Sequence, residues 1–190
     1  MNLEKSKTLQ SLINAFAGES MARNRYTIFA KIAQKEGYEQ IGAIFLETAE
    51  NEREHAKLFY KYIPIDEHAR VDAEYPFYMG NTLENLLYSV NGEREEWENI
   101  YREASNIAKE EGFSEISLLF YNISEIEKRH SHRFQVLAEL LKKDEIYKKK
   151  ENVQWICRKC GHTHISKNAP VVCPVCGHPE SFFQIYNEIF

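Results

Sequence analysis

Two short stretches of this chain pair a carboxylate with an imidazole three residues apart: Glu52-Arg53-Glu54-His55 and Glu127-Lys128-Arg129-His130. On a helix that spacing puts both side chains on one face, a turn apart. Carboxylate oxygens with some imidazole nitrogen suit iron or manganese better than a thiolate-binding metal. A single copy is weak evidence, since chance and satisfied core histidines produce it often. Here each copy lies inside an apolar helical stripe. The first stripe is Ile41, Phe45, Thr48, Glu52, His55, Phe59 and Tyr62. The second is Ile116, Phe120, Ile123, Glu127, His130, Phe134, Leu137 and Leu141. Ionised carboxylates in such positions are expensive unless a cation neutralises them.

An internal repeat ties further acids to these pairs. Residues 32–38 (IAQKEGY) match residues 107–113 (IAKEEGF) at an offset of 75, and Glu52 and His55 match Glu127 and His130 at the same offset. Gly18-Glu19 matches Gly92-Glu93, but at 74. Glu19 falls in a stripe with Leu9, Leu12, Phe16, Tyr26, Ala30 and Ala33. Glu96 follows Glu93 by one turn. The candidate ligands are therefore Glu19, Glu52, His55, Glu93, Glu96, Glu127 and His130. Two metal ions about 3.5–4 Å apart hold both oxygens of a small substrate. The extra residue in the second half predicts a π-bulge, and the repeat-related Tyr26 and Tyr101 confine it between Glu93 and Tyr101. Both tyrosines stand at a distance to hydrogen-bond a ligand carboxylate on the opposite side. The other reading, two core tyrosines with satisfied hydroxyls, stays open.

The elements that must position these groups are four long helices. Periodicity and breakers place them over residues 2–36, 38–62, 92–111 and 114–143, with Gly37, Pro64 and Gly112 as stops. Residues 64–81 read as an irregular crossover between two hairpins, after which Thr82 caps a short helix over 83–90. The charged run at 142–152 reads as a solvated helix end entering a linker.

The four cysteines form a second centre. Cys157, Cys160, Cys173 and Cys176 have the spacing C-x2-C-x12-C-x2-C, each pair ending in glycine. Four thiolates so spaced make a tetrahedral metal site. Zinc would make it structural and iron a one-electron centre. Trp155, Ile156, Val172, Phe182 and Phe183 are the expected cluster beneath it. His68, His132, His162, His164 and His178 read as surface residues.

Composition bounds the rest. With 190 residues the chain accommodates one domain and a small module, and a net charge of -5 argues against nucleic acid as a partner. The N-terminal stretch has no secretory pattern and no segment reaches transmembrane length, so no membrane partner and a cytoplasmic location are expected.

The series GE…E-x-x-H…GE-x-x-E…E-x-x-H, followed by CxxCG…CPxCG, resembles rubrerythrin over the whole chain. The resemblance implies an all-α, ferritin-like four-helix bundle over residues 1–145, with a linker and a small β-rich, rubredoxin-like ribbon over 146–190. It implies two iron ions in the bundle, a third in the cysteine site, and a peroxide reductase that turns hydrogen peroxide into water in oxidative stress protection. It implies that Glu96 and His55 exchange at one iron between oxidised and reduced states. It further implies a head-to-tail homodimer. No dinucleotide motif is present, so electrons are expected from a partner, a rubredoxin or a nicotinamide-dependent reductase. Two alternatives are a ferroxidase for iron storage and a non-catalytic metal-binding protein with a zinc ribbon.

Overall fold

The computed structural model describes residues 2–64 and 68–187. Helix α1 (Lys7–Lys35) and helix α2 (Glu39–Tyr60) form one antiparallel hairpin. The second hairpin pairs a composite rod with helix α5 (Ser114–Lys142). That rod consists of α3 (Thr82–Glu95), a π-helical segment (Glu96–Ile100) and α4 (Tyr101–Glu110). The inserted residue is thus absorbed as a π-segment between Glu93 and Tyr101, where the repeat offset puts it.

Both hairpins turn in the same way. Gly37 and Gly112 have φ of +85° and +88°, and the next residue closes the helix end, Tyr38 N to Ala33 O and Phe113 N to Ala108 O, each at 2.8 Å. This is the Schellman arrangement, which requires a left-handed residue at that position. The residue before each glycine does further work. Glu36 accepts a hydrogen bond from Thr82 N at 2.9 Å, while Glu111 accepts from Lys7 N at 3.0 Å and Thr8 N at 2.9 Å. Each hairpin therefore ends in a carboxylate that caps the first helix of the other, which explains why the repeat preserves this segment.

Two expectations are corrected. No break separates a short helix from the third rod: α3 runs through Gly92, where an added Cβ would meet nothing within 4 Å. Glycine costs a helix about 1 kcal/mol, and packing of the flanking turns outweighs it. The cap is Asn81 rather than Thr82; Asn81 and Glu84 form a reciprocal capping box. Residues 68–81 carry no helix or strand, as expected of the crossover, while residues 65–67 lie outside the described part.

Apolar contacts gather in two clusters, one around Phe29, Phe45 and Phe134, the other around Phe59, Phe120 and Leu12. The repeat relates their central pairs: Phe45 and Phe134 stand 5.1 Å apart, Phe59 and Phe120 4.9 Å. Along α1, α2 and α5 the stripe glutamates fall between the two clusters, so aromatic packing seals the acids from both ends of the bundle.

Past α5 the chain enters a three-stranded antiparallel sheet of order β2-β1-β3, with β1 Lys148–Cys157, β2 Thr163–Asn168 and β3 Phe183–Ile185. The charged run expected to be linker already joins β1 at Lys148, paired with Asn168. Strand alternation sends Trp155 and Cys157 inward and leaves Ile156 half-buried, while Val172 is exposed; the buried cluster is Trp155, Cys157, Ala169, Cys173 and Phe183, with Phe182 against it. Tyr147 fastens the ribbon to the bundle. Its hydroxyl donates to Gly37 O at 2.7 Å and its ring lies parallel to Tyr38.

Candidate metal centres

Helices α1, α2, α3 and α5 each deliver a fully buried glutamate to the middle of the bundle: Glu19, Glu52, Glu93 and Glu127. His55 and His130 join them, one turn after Glu52 and Glu127. The groups divide into two overlapping sets. Glu19, Glu52, His55 and Glu127 have ligand atoms within 4.8 Å of one another, and so do Glu52, Glu93, Glu127 and His130. Glu52 and Glu127 belong to both sets, so each would face both ions if two were bound. His55 Nδ1 lies 2.9 Å from Glu52 and from Glu127, and His130 Nδ1 lies 2.7 Å from Glu127 and 3.3 Å from Glu52.

The inward atoms lack hydrogen-bond partners. Both oxygens of Glu52 and of Glu127, Oε2 of Glu93, and Nδ1 of His55 and of His130 are buried without one. Orphaned buried polar atoms are rare in proteins and are expensive. Here they face a common centre and are all oxygen and imidazole nitrogen, so the donor set fits two hard or borderline cations.

The outward oxygens are held. Tyr101 donates to Glu19 Oε1 at 2.5 Å, and Tyr26 donates to Glu93 Oε1. Each tyrosine reaches across to the acid of the other half, so the hydroxyls are satisfied by carboxylates of the cluster itself. On the far side of His130, Nε2 lies 3.2 Å from Asn51 Oδ1. Asn51, one residue before Glu52, is not among the residues that spacing singles out.

Electrostatics follow from burying acids together. Burial pushes the Glu19 carboxyl up to about 8, with Glu127 and Glu52 adding to it and His55 opposing. Glu93 is raised well above the carboxylate range, first by burial and then by Glu52. Glu127 runs the other way: burial raises it, but His130 and His55 outweigh that and hold it at about 2. Burial lowers His130, yet Glu127, Glu52 and Glu93 push it up to about 12; His55 is raised in the same way. The cluster thus collects positive charge as protons, the role that bound cations fill instead.

Glu96 is the one proposed bundle ligand that the structure leaves outside both sets. It opens the π-segment and is half-buried, with its carboxyl raised by burial and by Glu93, Glu19, Glu127 and Glu52. It lines a cavity of about 370 Å³ together with Tyr101, Glu95, Gly18 and Tyr75. The crossover roofs this cavity. Tyr75 donates to Asn14 O at 2.5 Å, and an added Cβ on Gly18 would stand 3.2 Å from its ring.

In the ribbon, two matching turns present the thiolates. Cys157 N bonds His162 O and Cys173 N bonds His178 O, both at 2.8 Å, with Gly161 and Gly177 at φ of +77° and +72°. Only glycine takes that φ without strain, so the motif needs it after each pair. The four Sγ atoms form one group, with Cys157 and Cys176 3.8 Å apart and Cys160 and Cys173 3.6 Å apart. Two sulfurs bound tetrahedrally at about 2.3 Å from one ion lie about 3.8 Å apart, so the cysteines fit a single metal. His68, His132 and His164 are exposed; His162 and His178 are half-buried. No helix among the described residues is long and apolar enough to cross a membrane.

A four-rod bundle with two acid–imidazole pairs at its centre is the ferritin-like carboxylate class of metalloprotein. Comparison narrows this. The family model for rubrerythrin matches residues 10–138, and the model for the rubrerythrin rubredoxin-like domain matches 155–184. The chain belongs to the rubrerythrin family. It is 44% identical over 191 residues to rubrerythrin-1 of Clostridium acetobutylicum, covering 98% of each chain. It is 42% identical to the rubrerythrin of Porphyromonas gingivalis, over 96% of this chain and 92% of that one. Among solved structures it resembles the fully reduced, all-ferrous state of nigerythrin, with a TM-score of 0.64 at 29% identity over 96% of this chain and 90% of that one; partially reduced and mixed-valence states of nigerythrin match as well.

Proposed function

We propose that this protein is a peroxide reductase: the bundle holds two iron ions, the ribbon holds one, and hydrogen peroxide is reduced to water. The carrying observation is the pair of overlapping ligand sets that share Glu52 and Glu127. Membership in the rubrerythrin family, and the similarity to nigerythrin structures spanning several iron oxidation states, support iron over zinc or manganese.

Two ferrous ions held by these residues would supply the two electrons that, with two protons from solvent, convert one hydrogen peroxide into two waters, and their charge would stabilise the oxygen products. The rest belongs to this chain. Glu52 and Glu127 would hold both metal positions at once, and Tyr26 and Tyr101 keep Glu93 and Glu19 aimed inward. The aromatic clusters exclude water from both ends. The cavity beside Glu96 gives a small neutral molecule a way in. His55 lies inside the cluster and Glu96 just outside it, and this supports reading the two as the pair that would exchange at one iron.

An iron held by the four cysteines would return electrons one at a time, and the two glycine-closed turns would let its charge change with little rearrangement. We place the protein in the cytoplasm, as a head-to-tail homodimer in which the ribbon of one subunit serves the bundle of the other, supplied by a rubredoxin or a nicotinamide-dependent reductase. The test is peroxide consumption by the iron-loaded full chain with an electron-donor system. The wild type should turn over, and Glu52→Ala should not, while the visible absorption of the cysteine centre persists. Turnover that survives Glu52→Ala overturns this reading, and rapid deposition of ferric mineral without peroxide turnover indicates iron storage instead.

A further inference from the structure

We infer that Asn51 is a positioning residue for His130, and that it makes the two metal positions of the bundle unequal: the one built on His130 binds a divalent cation more tightly than the one built on His55. The inference rests on the two-metal reading above and goes beyond it.

The two imidazoles occupy equivalent places in the repeat. Each turns Nδ1 toward Glu52 and Glu127, and each is buried. They differ on the other side of the ring. His130 Nε2 meets the Asn51 amide oxygen at 3.2 Å, from helix α5 to helix α2. An amide oxygen only accepts, so Nε2 must carry the hydrogen, and once an arriving cation displaces the Nδ1 proton it is the Nδ1 lone pair that faces the centre of the bundle. His55 Nε2 has no such partner among the described residues. The residue matching Asn51 at the repeat offset of 75 is Ile126, a hydrocarbon that can neither donate nor accept.

A ligating histidine is held in one tautomer and one orientation by the group its other nitrogen meets, and loss of that group typically costs about 10–100-fold in metal affinity. His130 has such a group and His55 does not. The His130 ring is already in its ligating pose, and so loses little freedom when a cation arrives. The His55 ring must choose a tautomer and an orientation at that moment.

The experiment is an anaerobic titration of the full chain, its bundle stripped of metal, with cobalt(II) alone. It is read by the weak visible bands of oxygen- and nitrogen-bound cobalt and by calorimetry. Cobalt in the cysteine site is told apart by its intense thiolate charge-transfer absorption. In the wild type, two bundle ions should bind with dissociation constants at least about tenfold apart. Asn51→Leu should weaken the tighter step by about 10–100-fold and leave the weaker one in place, and Asn51→Gln, which offers the same carbonyl, should restore much of the difference. The unfolding midpoint of the metal-free protein should be the same for all three, which a merely structural role would not give. Equal affinities in the wild type, or an Asn51→Leu variant that binds both ions as the wild type does, would overturn the inference while leaving the two-metal reading standing. Absence of any bundle-bound cobalt in the wild type would instead remove the two-metal reading itself.

Discussion

Tyr101 donates its hydroxyl hydrogen to Glu19 across 2.5 Å, from the second helical hairpin into the first. The repeat-related Tyr26 returns the contact by donating to Glu93. The two bonds cross-link the hairpins at the level of the acids and occupy one oxygen of each outer carboxylate. Replacing Tyr101 with Phe keeps the ring that packs on Phe59 and Phe120 but removes the donor. Tyr101→Phe should therefore lower iron affinity and peroxide turnover by about 10–100-fold, with global stability changed by no more than about 1–3 kcal/mol. Retained iron after dialysis, together with steady-state peroxide consumption, checks this. The double variant with Tyr26→Phe should lose less than the product of the two single losses, because both hydroxyls serve one cluster.

The π-segment offers a separable test. Removing the exposed Asn99 from Glu96–Ile100 brings the repeat offset to 74 throughout, and lets the rod run as regular α-helix with Glu93 and Tyr101 still in register. Strained helical segments persist where function needs them. The deletion variant should be at least as resistant to urea as the wild type, yet lose turnover by tenfold or more, since Glu96 is re-aimed. Peroxide assays alongside urea unfolding decide it. Wild-type activity in the deletion variant would mean that the segment is only a scar of the insertion.

Much of this site can be read from spacing alone, because buried acids interrupt apolar stripes of period 3.6 and the repeat shows the interruption twice. The π-segment is legible for the same reason, as a one-residue mismatch between Glu19–Tyr26 and Glu93–Tyr101. What spacing cannot show is where one rod crosses another. The Asn51–His130 bond joins α2 to α5 through a single polar residue that nothing in its type or spacing pairs with a histidine 79 positions away, and Glu96 shares the face of Glu93 yet stays outside the ligand sets. Helix continuity through Gly92 is hidden likewise, since tertiary packing outweighs the local preference of one glycine. In the ribbon, Val172 looks like core by type, but it lies outside the named strands and is exposed.

Acid should weaken one specific joint. Glu111 caps α1 through Thr8 and Lys7, and these bonds hold its carboxyl below the usual carboxylate range, with the Thr8 hydroxyl the leading cause. A depressed pKa in the folded state means the stabilisation is fully present above the unfolded value and is lost as pH falls through the folded one. Glu111→Gln should cost about 1 kcal/mol at pH 7, toward the modest end for a cap because the group is partly solvent-screened. The gap between wild type and variant should close below about pH 4. Urea unfolding of metal-free protein at several pH values measures it, and a gap independent of pH would exclude the carboxylate as its source.

Metal removal should act on the ribbon and spare the bundle. The ribbon core consists of Trp155, Ala169, Phe183 and two of the cysteines themselves, too little to fold unaided. Chelation, or Cys173→Ser, should expose Trp155 and abolish amide protection in β1, β2 and β3, while helical circular dichroism stays near the wild-type level. Hydrogen exchange resolved by segment checks both halves of this expectation. Protection that persists in the strands without metal would mean that the sheet stands on its side chains alone.

The most direct measurement is the iron content of anaerobically purified protein beside that of Glu52→Ala. Glu52 belongs to both ligand sets, so its loss should empty both bundle positions and leave the four cysteines untouched. The account predicts about three irons per chain in the wild type and about one in the variant, with the visible spectrum of the cysteine centre unchanged. A wild type with a single iron, or a variant that keeps all three, would contradict it.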